Sequence, residues 1–145
     1  MHITRYTDYS VRVLMYLAVR PDSLSTMQEI ADSYNISRNH LMKVVHQLNR
    51  KGYVKTVRGK NGGLRLNMVP SQINIGVLVR ETEHDLQLVE CFESDRNCVI
   101  SPVCGLKNLF SEALEAFLVA LDQHTLEDLV PEHSKAQLVR LLQIA

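Results

Sequence analysis

The segment Arg58-Gly59-Lys60-Asn61-Gly62-Gly63 constrains the fold of this chain more than any other stretch. Three glycines among six residues defeat regular helix. Short runs flank it on both sides, Tyr53 to Val57 before it and the alternating Leu64-Arg65-Leu66 after it. That pattern closes as a β-hairpin with a basic tip. Upstream, Leu41, Val44, Val45 and Leu48 recur at i, i+3, i+4 and i+7, the single buried stripe of an amphipathic helix. Ser37 can cap this helix and Gly52 can stop it. Thr26-Met27-Gln28-Glu29 fits a capping box, Ile30 and Ala31 supply the buried face of a preceding helix, and Asn35 suits the left-handed turn between the two. Tyr9, Val13, Tyr16 and Leu17 give a first helix, with Thr7 or Asp8 as N-cap and Pro21-Asp22-Ser23 as its stop. Three helices followed by a two-stranded wing make a winged helix-turn-helix, in a chain that is mainly α.

The third helix is chemically one-sided outside its buried stripe. Arg38, Asn39, His40, Lys43 and Gln47 are donors and amides suited to phosphates and base edges. In this architecture the helix enters the major groove and its first turn meets the bases. Arg58, Lys60 and Asn61 sit at the wing tip, where cations can reach the negative potential of an adjacent minor groove. The formal net charge is zero, but residues 1–65 carry eleven Lys/Arg against four Asp/Glu, and residues 66–145 carry five against twelve. A basic half suits a polyanion such as double-stranded DNA. The same fold can serve protein contacts alone, and His40 and His46 can equally be surface or half-buried helix residues. No Ser/His/Asp or Cys/His pair stands at useful spacing, and no phosphate-binding glycine loop precedes a helix, so an enzyme is not expected.

After Pro70, Asn74 to Glu83 reads as a short helix with Ile75, Val77, Leu78 and Val79 mostly buried. Ser101-Pro102 is a good start for a longer helix running to about His124. That helix carries Leu106, Leu109, Phe110, Ala113, Leu114, Phe117, Leu118 and Leu121, a stripe too wide for one small head. One side is expected on its own chain and the other on a symmetry mate, giving a homodimer. Thr125-Leu126-Glu127-Asp128 matches a second capping box, and residues 131–145 look weakly helical or loose. The expected division is a DNA-binding domain at 1–70, a linking helix and cysteine loop at 71–102, a dimerisation helix at 103–130 and a C-terminal tail at 131–145. Charged residues interrupt the first twenty positions and no apolar run approaches a membrane span, so a cytoplasmic chain without a membrane partner is expected.

All three cysteines, Cys91, Cys98 and Cys104, fall within fourteen residues at the spacing C-x6-C-x5-C. An odd number cannot pair completely within one chain, and the absence of CxxC argues against a zinc ribbon or a thioredoxin-like site. Three thiolates can hold a metal centre, and a helix N-terminus near Cys104 would stabilise an anionic one. An unligated trio and a thiol redox sensor remain open on spacing alone.

In combination these motifs resemble the dimeric winged-helix iron–sulfur repressors that include IscR, and among them the members that sense nitric oxide. The likeness rests on Thr7-Asp8-Tyr9, Ser37-Arg38-Asn39-His40-Leu41, Arg58-Gly59-Lys60-Asn61-Gly62-Gly63-Leu64, Val89-Glu90-Cys91, Ser101-Pro102-Val103-Cys104-Gly105-Leu106 and Thr125-Leu126-Glu127-Asp128-Leu129. It covers nearly the whole chain except the last fifteen residues. The resemblance implies a 2Fe–2S or 4Fe–4S cluster on Cys91, Cys98 and Cys104. It implies a fourth ligand from Asp8 of the second subunit, for which the bland reading is a helix cap. The position that holds a histidine ligand in IscR-like members is Lys107 here, and the first cysteine gap is one residue longer than the commonest family spacing. The implied function is a homodimeric repressor of a palindromic operator, released when nitric oxide attacks the cluster. An IscR-like regulator of iron–sulfur status and a cluster-free thiol redox repressor are the alternatives.

Overall fold

The computed structural model of the chain describes residues 1–92 and 98–144. Its elements run α1 (Arg5–Ala18), α2 (Met27–Tyr34), α3 (Arg38–Arg50), β1 (Val54–Val57), β2 (Gly63–Leu66), α4 (Ile75–Thr82), α5 (Leu106–Asp122), α6 (Leu126–Leu129) and α7 (Glu132–Leu141), with 3-10 turns at Pro70–Gln72 and Glu90–Phe92. This is the mainly α winged helix-turn-helix expected. Val13, Leu14 and Leu17 of α1, Ile30 of α2 and Leu41, Val44 and Leu48 of α3 form one core that excludes water almost completely. β1 and β2 pair antiparallel with Val54 opposite Leu66, Lys55 opposite Arg65, Thr56 opposite Leu64 and Val57 opposite Gly63. Ser25 adds a bridge on the far edge, its N–H donating to Leu64 O at 3.0 Å. The wing is thereby stitched to the turn that precedes α2.

The first helix starts earlier than its composition implies. Its N-cap is Thr4, whose hydroxyl accepts from Thr7 N at 3.3 Å; Thr7 and Asp8 lie inside the first turn and neither is the cap. The reason is a long-range one. The Glu83 carboxylate, at the end of α4, accepts from Thr4 N at 2.8 Å and from Thr4 Oγ1 at 2.9 Å. Thr7 turns inward, and its hydroxyl donates to that of Thr82 at 2.9 Å. Burial alone would push the Glu83 carboxyl up, but the polar groups around it, with the two hydrogen bonds from Thr4, outweigh it and hold the group below the ordinary glutamate range.

α4 is joined to the far end of α5 just as tightly. Asn74 caps α4 by accepting from Val77 N at 3.0 Å, while its Nδ2 donates to Asp122 O at 2.8 Å. Arg80 grips the Asp122 carboxylate with both terminal nitrogens, at 2.5 and 2.9 Å. Gly76 lies beneath this pair, where a Cβ would collide with the Asp122 carboxylate and backbone. Val77 is exposed rather than buried, because α4 turns Ile75, Leu78, Val79 and Thr82 inward.

α5 begins at Leu106 with Gly105 before it and no side-chain cap, so Ser101 and Pro102 belong to a preceding turn and not to the helix. It ends at Asp122, short of His124. Leu118 is its one fully buried residue; Leu106, Leu109, Phe117 and Val119 are exposed. Thr125 and Asp128 form the expected capping box at the start of α6. The last segment is not loose. α7 is a regular helix, Leu142 after it is buried, and Leu142 O accepts from Ser33 Oγ of α2 at 2.8 Å. Among the described residues no helix is long and apolar enough to cross a membrane.

Gly76→Ala should destabilise the chain by about 1–3 kcal/mol, read as a lowered thermal midpoint. The Glu83 anchor makes stability pH-dependent with a fixed sign. Its depressed pKa adds stability above the unfolded glutamate value of about 4.3, and that stability is lost as the pH falls through the lower folded value. Glu83→Gln should flatten this part of the acid-unfolding profile.

Candidate nucleic-acid interface and thiol segment

Local signals on both ends hold α3 in place. Ser37 Oγ accepts from His40 N at 3.1 Å. At the other end Gly52 takes φ +84°, with Gly52 N donating to Asn49 O and Tyr53 N to Leu48 O, both at 3.0 Å. This is the paired-bond stop that glycine permits and other residues resist. The Tyr53 hydroxyl then donates to Glu81 Oε2 at 2.5 Å, tying the root of the wing to α4. Burial, followed by that bond, pushes its pKa well up, so it stays a donor.

Outside its buried stripe α3 presents Arg38, Asn39 and Lys43 as exposed side chains, while Gln47 is half-buried. His40 is also half-buried, its ring edge-on to Tyr9 of α1 at 4.9 Å between centroids. Arg58, Lys60 and Asn61 are exposed at the wing tip, where Gly59 takes φ +110° and accepts from Gly62 N at 3.0 Å. The structure adds residues that the sequence reading passed over. Met42, Arg50 and Lys51 are exposed on α3 and at its end, and Lys55 and Arg65 on the wing strands. Charge alone flagged the four cations; their faces became visible only once the register was known. None of the cations from Arg38 to Arg65 makes an ion pair with another described residue. In the other half Arg80 holds Asp122, Lys135 holds Glu132 and His124 lies 3.8 Å from Asp128.

The thiol segment lies in the chain between α4 and α5. Cys91 is half-buried in the turn Glu90–Phe92, Cys98 is exposed, and Cys104 is half-buried two residues before α5, not in its first turn. All three are free thiols. Residues 93–97 of the expected loop lie outside the described residues. Among the described residues no three His, Cys, Asp or Glu side chains gather as a metal site. Asp8 is instead held by Arg12, Oδ2 to Nη2 at 2.9 Å and Oδ1 to Nε at 3.2 Å. It sits at the rim of a cleft of about 480 Å³ with Ile3, Arg5, Thr7, Val79, Phe117 and Leu121.

Comparison with known proteins places this geometry among relatives. A family model described as Rrf2, iron-dependent transcriptional regulator, matches residues 3–132. The HTH-type transcriptional regulator NsrR of Bacillus subtilis is 54% identical, over 99% of this chain and 99% of its own length. The solved structure of T. potens IscR superposes with a TM-score of 0.75 at 23% identity, covering 94% of this chain and 91% of that one. CymR, the global cysteine regulator of B. subtilis, gives 0.67 at 27% identity, covering 89% of this chain and 95% of that one.

Lys43→Ala and Lys60→Ala should each weaken DNA binding and reduce the slope of log affinity against log salt by about 0.9. Titrations of labelled duplex at several salt concentrations measure this; an unaltered slope would mean that the side chain misses the phosphates.

Proposed function

Because the chain belongs to the Rrf2 family of transcriptional regulators, we propose that it is a homodimeric repressor whose thiol segment carries an iron–sulfur cluster, senses nitric oxide and thereby sets operator affinity. It is a DNA-binding regulator and not an enzyme. The observation that carries the finer reading is an unbroken set of contacts from Asp8 to the reading helix. Arg12 binds the Asp8 carboxylate, and its guanidinium lies 5.8 Å from the ring centres of Tyr9 and Tyr34. Tyr9 meets His40 in the first turn of α3. The Tyr34 hydroxyl donates to Arg12 O at 3.0 Å, and burial pushes that phenol up to about 12, so it remains a donor at physiological pH. A carboxylate that leaves Arg12 for another partner therefore disturbs the packing beneath α3.

Cys91, Cys98 and Cys104 would hold the cluster, with Asp8 contributed across the dimer. Three free thiols are the right donor chemistry, and the cleft beside Asp8 leaves room for a segment of a second chain. When bound, the cluster supplies iron that takes nitric oxide as a ligand. The chain's own part is mechanical: Asp8 exchanges partners, Arg12 follows it, and Tyr9 carries the change to His40. The exposed leucines of α5, continued by Met1, Ile3, Leu86 and Leu88 around a second cleft, support a two-fold partner on that face. Two heads held this way would read half-sites about one helical turn apart or a multiple of it. A coupling of about 1–3 kcal/mol would change affinity by about 5- to 150-fold.

The exposed thiol of Cys98 also supports a second reading, a cluster-free thiol redox repressor. One preparation separates the two. Protein purified without oxygen should contain iron and labile sulfide, show iron–sulfur absorbance and release DNA on exposure to nitric oxide. Cys98→Ala should lose the absorbance, the iron and tight operator binding together. Asp8→Ala should keep some cluster but alter its response. Colourless, iron-free wild type that still binds and releases the operator would install the thiol reading in place of the cluster.

A further inference from the structure

Lys55 and Arg65 face each other across the wing. They are direct partners in the antiparallel register and both are exposed. Their neighbours point the other way: Val54 and Leu64 are buried, and Thr56 Oγ1 accepts from Asn49 Nδ2 of α3 at 2.8 Å. Strand alternation therefore puts Lys55 and Arg65 together on the flank of the hairpin turned away from α3. Neither side chain makes a hydrogen bond or ion pair with another described residue.

Like charges set directly opposite on neighbouring strands destabilise the pair. Elsewhere in the chain Arg12, Arg20, Arg80 and Lys135 each reach a carboxylate. An anion lying between Lys55 and Arg65 would turn the repulsion into two charge-assisted contacts. Lys55 also lies three residues before Arg58, about 10 Å along an extended strand, so flank and tip can follow one stretch of phosphate backbone.

We propose that Lys55 and Arg65 form a phosphate clamp on the outer flank of the wing, separate from the tip, which holds the DNA backbone while the tip enters the groove. The proposal rests on the DNA-binding reading and extends it to a site that the sequence patterns did not mark. Phosphate contacts position a protein without reading bases, so the clamp acts on duplexes of any sequence.

The test is a salt titration of a random-sequence DNA duplex with the full chain, paired with thermal unfolding of the same samples. Lys55→Thr and Arg65→Thr should each reduce the salt slope by about 0.9 and weaken binding, while the thermal midpoint rises because the repulsion is gone. Lys55→Glu, which can pair with Arg65, should give the largest rise in midpoint and the weakest binding of the three. Lys135→Thr, the same loss of charge far from the head, should leave the slope unchanged. Wild-type slope and affinity in Lys55→Thr and Arg65→Thr would overturn the clamp while leaving DNA binding intact. A wild-type chain without affinity for the duplex would overturn the DNA reading and the clamp with it.

Discussion

Burial of α1 is the constraint on which the remaining structure depends. The helix packs on α3, α4, α6 and β2, so the reading head and the C-terminal half share one buried element. Val13, Leu14, Tyr16 and Leu17 are essentially without solvent contact, each contributing about 1.5–3 kcal/mol through burial for the aliphatic members. Apolar packing alone would let α1 slide or rotate. The polar contacts at its start remove that freedom: Glu83 takes both donors of Thr4, and Thr82 takes the hydroxyl of Thr7. These groups are buried or half-buried, so leaving any of them unpaired would cost about 1–3 kcal/mol. The first turn of α1, which includes Asp8, is therefore fixed to α4, while the α3-facing side of the same helix stays in contact with the reading helix through Tyr9.

Local chemistry made the head legible. Capping residues at Thr26 and Ser37, the left-handed Asn35, the stop at Gly52 and the stripe of Leu41, Val44, Val45 and Leu48 all appear where their side chains require. What escaped was set by partners distant in sequence. Thr4 caps α1 because Glu83, seventy-nine residues away, completes it. α5 starts at Leu106 although Ser101 and Pro102 offer the stronger local signal. α7 becomes a packed helix because Ser33 and the α2 surface receive its end, a contact that weak amphipathicity could not announce. At the candidate interface, residue type flagged Arg38, Lys43, Arg58 and Lys60, but the partial burial of His40 against Tyr9 and the facing pair on the wing strands follow from tertiary packing and register.

Ion pairs are spread unevenly along the chain. From Arg38 to Arg65 the cations have no carboxylate partner among the described residues, whereas Arg80 and Lys135 are matched. Exposed pairs add little stability, so the stretch gives up little by leaving these cations unmatched. What it retains is a positive surface on α3 and the wing. The Arg80–Asp122 pair has a different task, since it fixes the end of α5 against α4 directly above a glycine that leaves no space for movement. Motion of a partner on α5 would therefore reach α4, and through the Glu83 and Thr82 contacts it would reach α1.

Arg12 is the point at which these two routes meet. It touches Asp8 in the first turn of α1 and Tyr9 and Tyr34 on the reading side, and its own carbonyl anchors the Tyr34 hydroxyl. A guanidinium has five donors in a rigid fork, so it cannot follow one partner without changing its angle to the others. The Asp8–Arg12 pair is half-exposed and weak by itself. That weakness is what the proposed exchange of Asp8 between Arg12 and a cluster needs. A strong pair would hold Asp8 against any competing ligand, whereas a weak one lets a differential affinity of only about 1–3 kcal/mol decide which partner the carboxylate keeps.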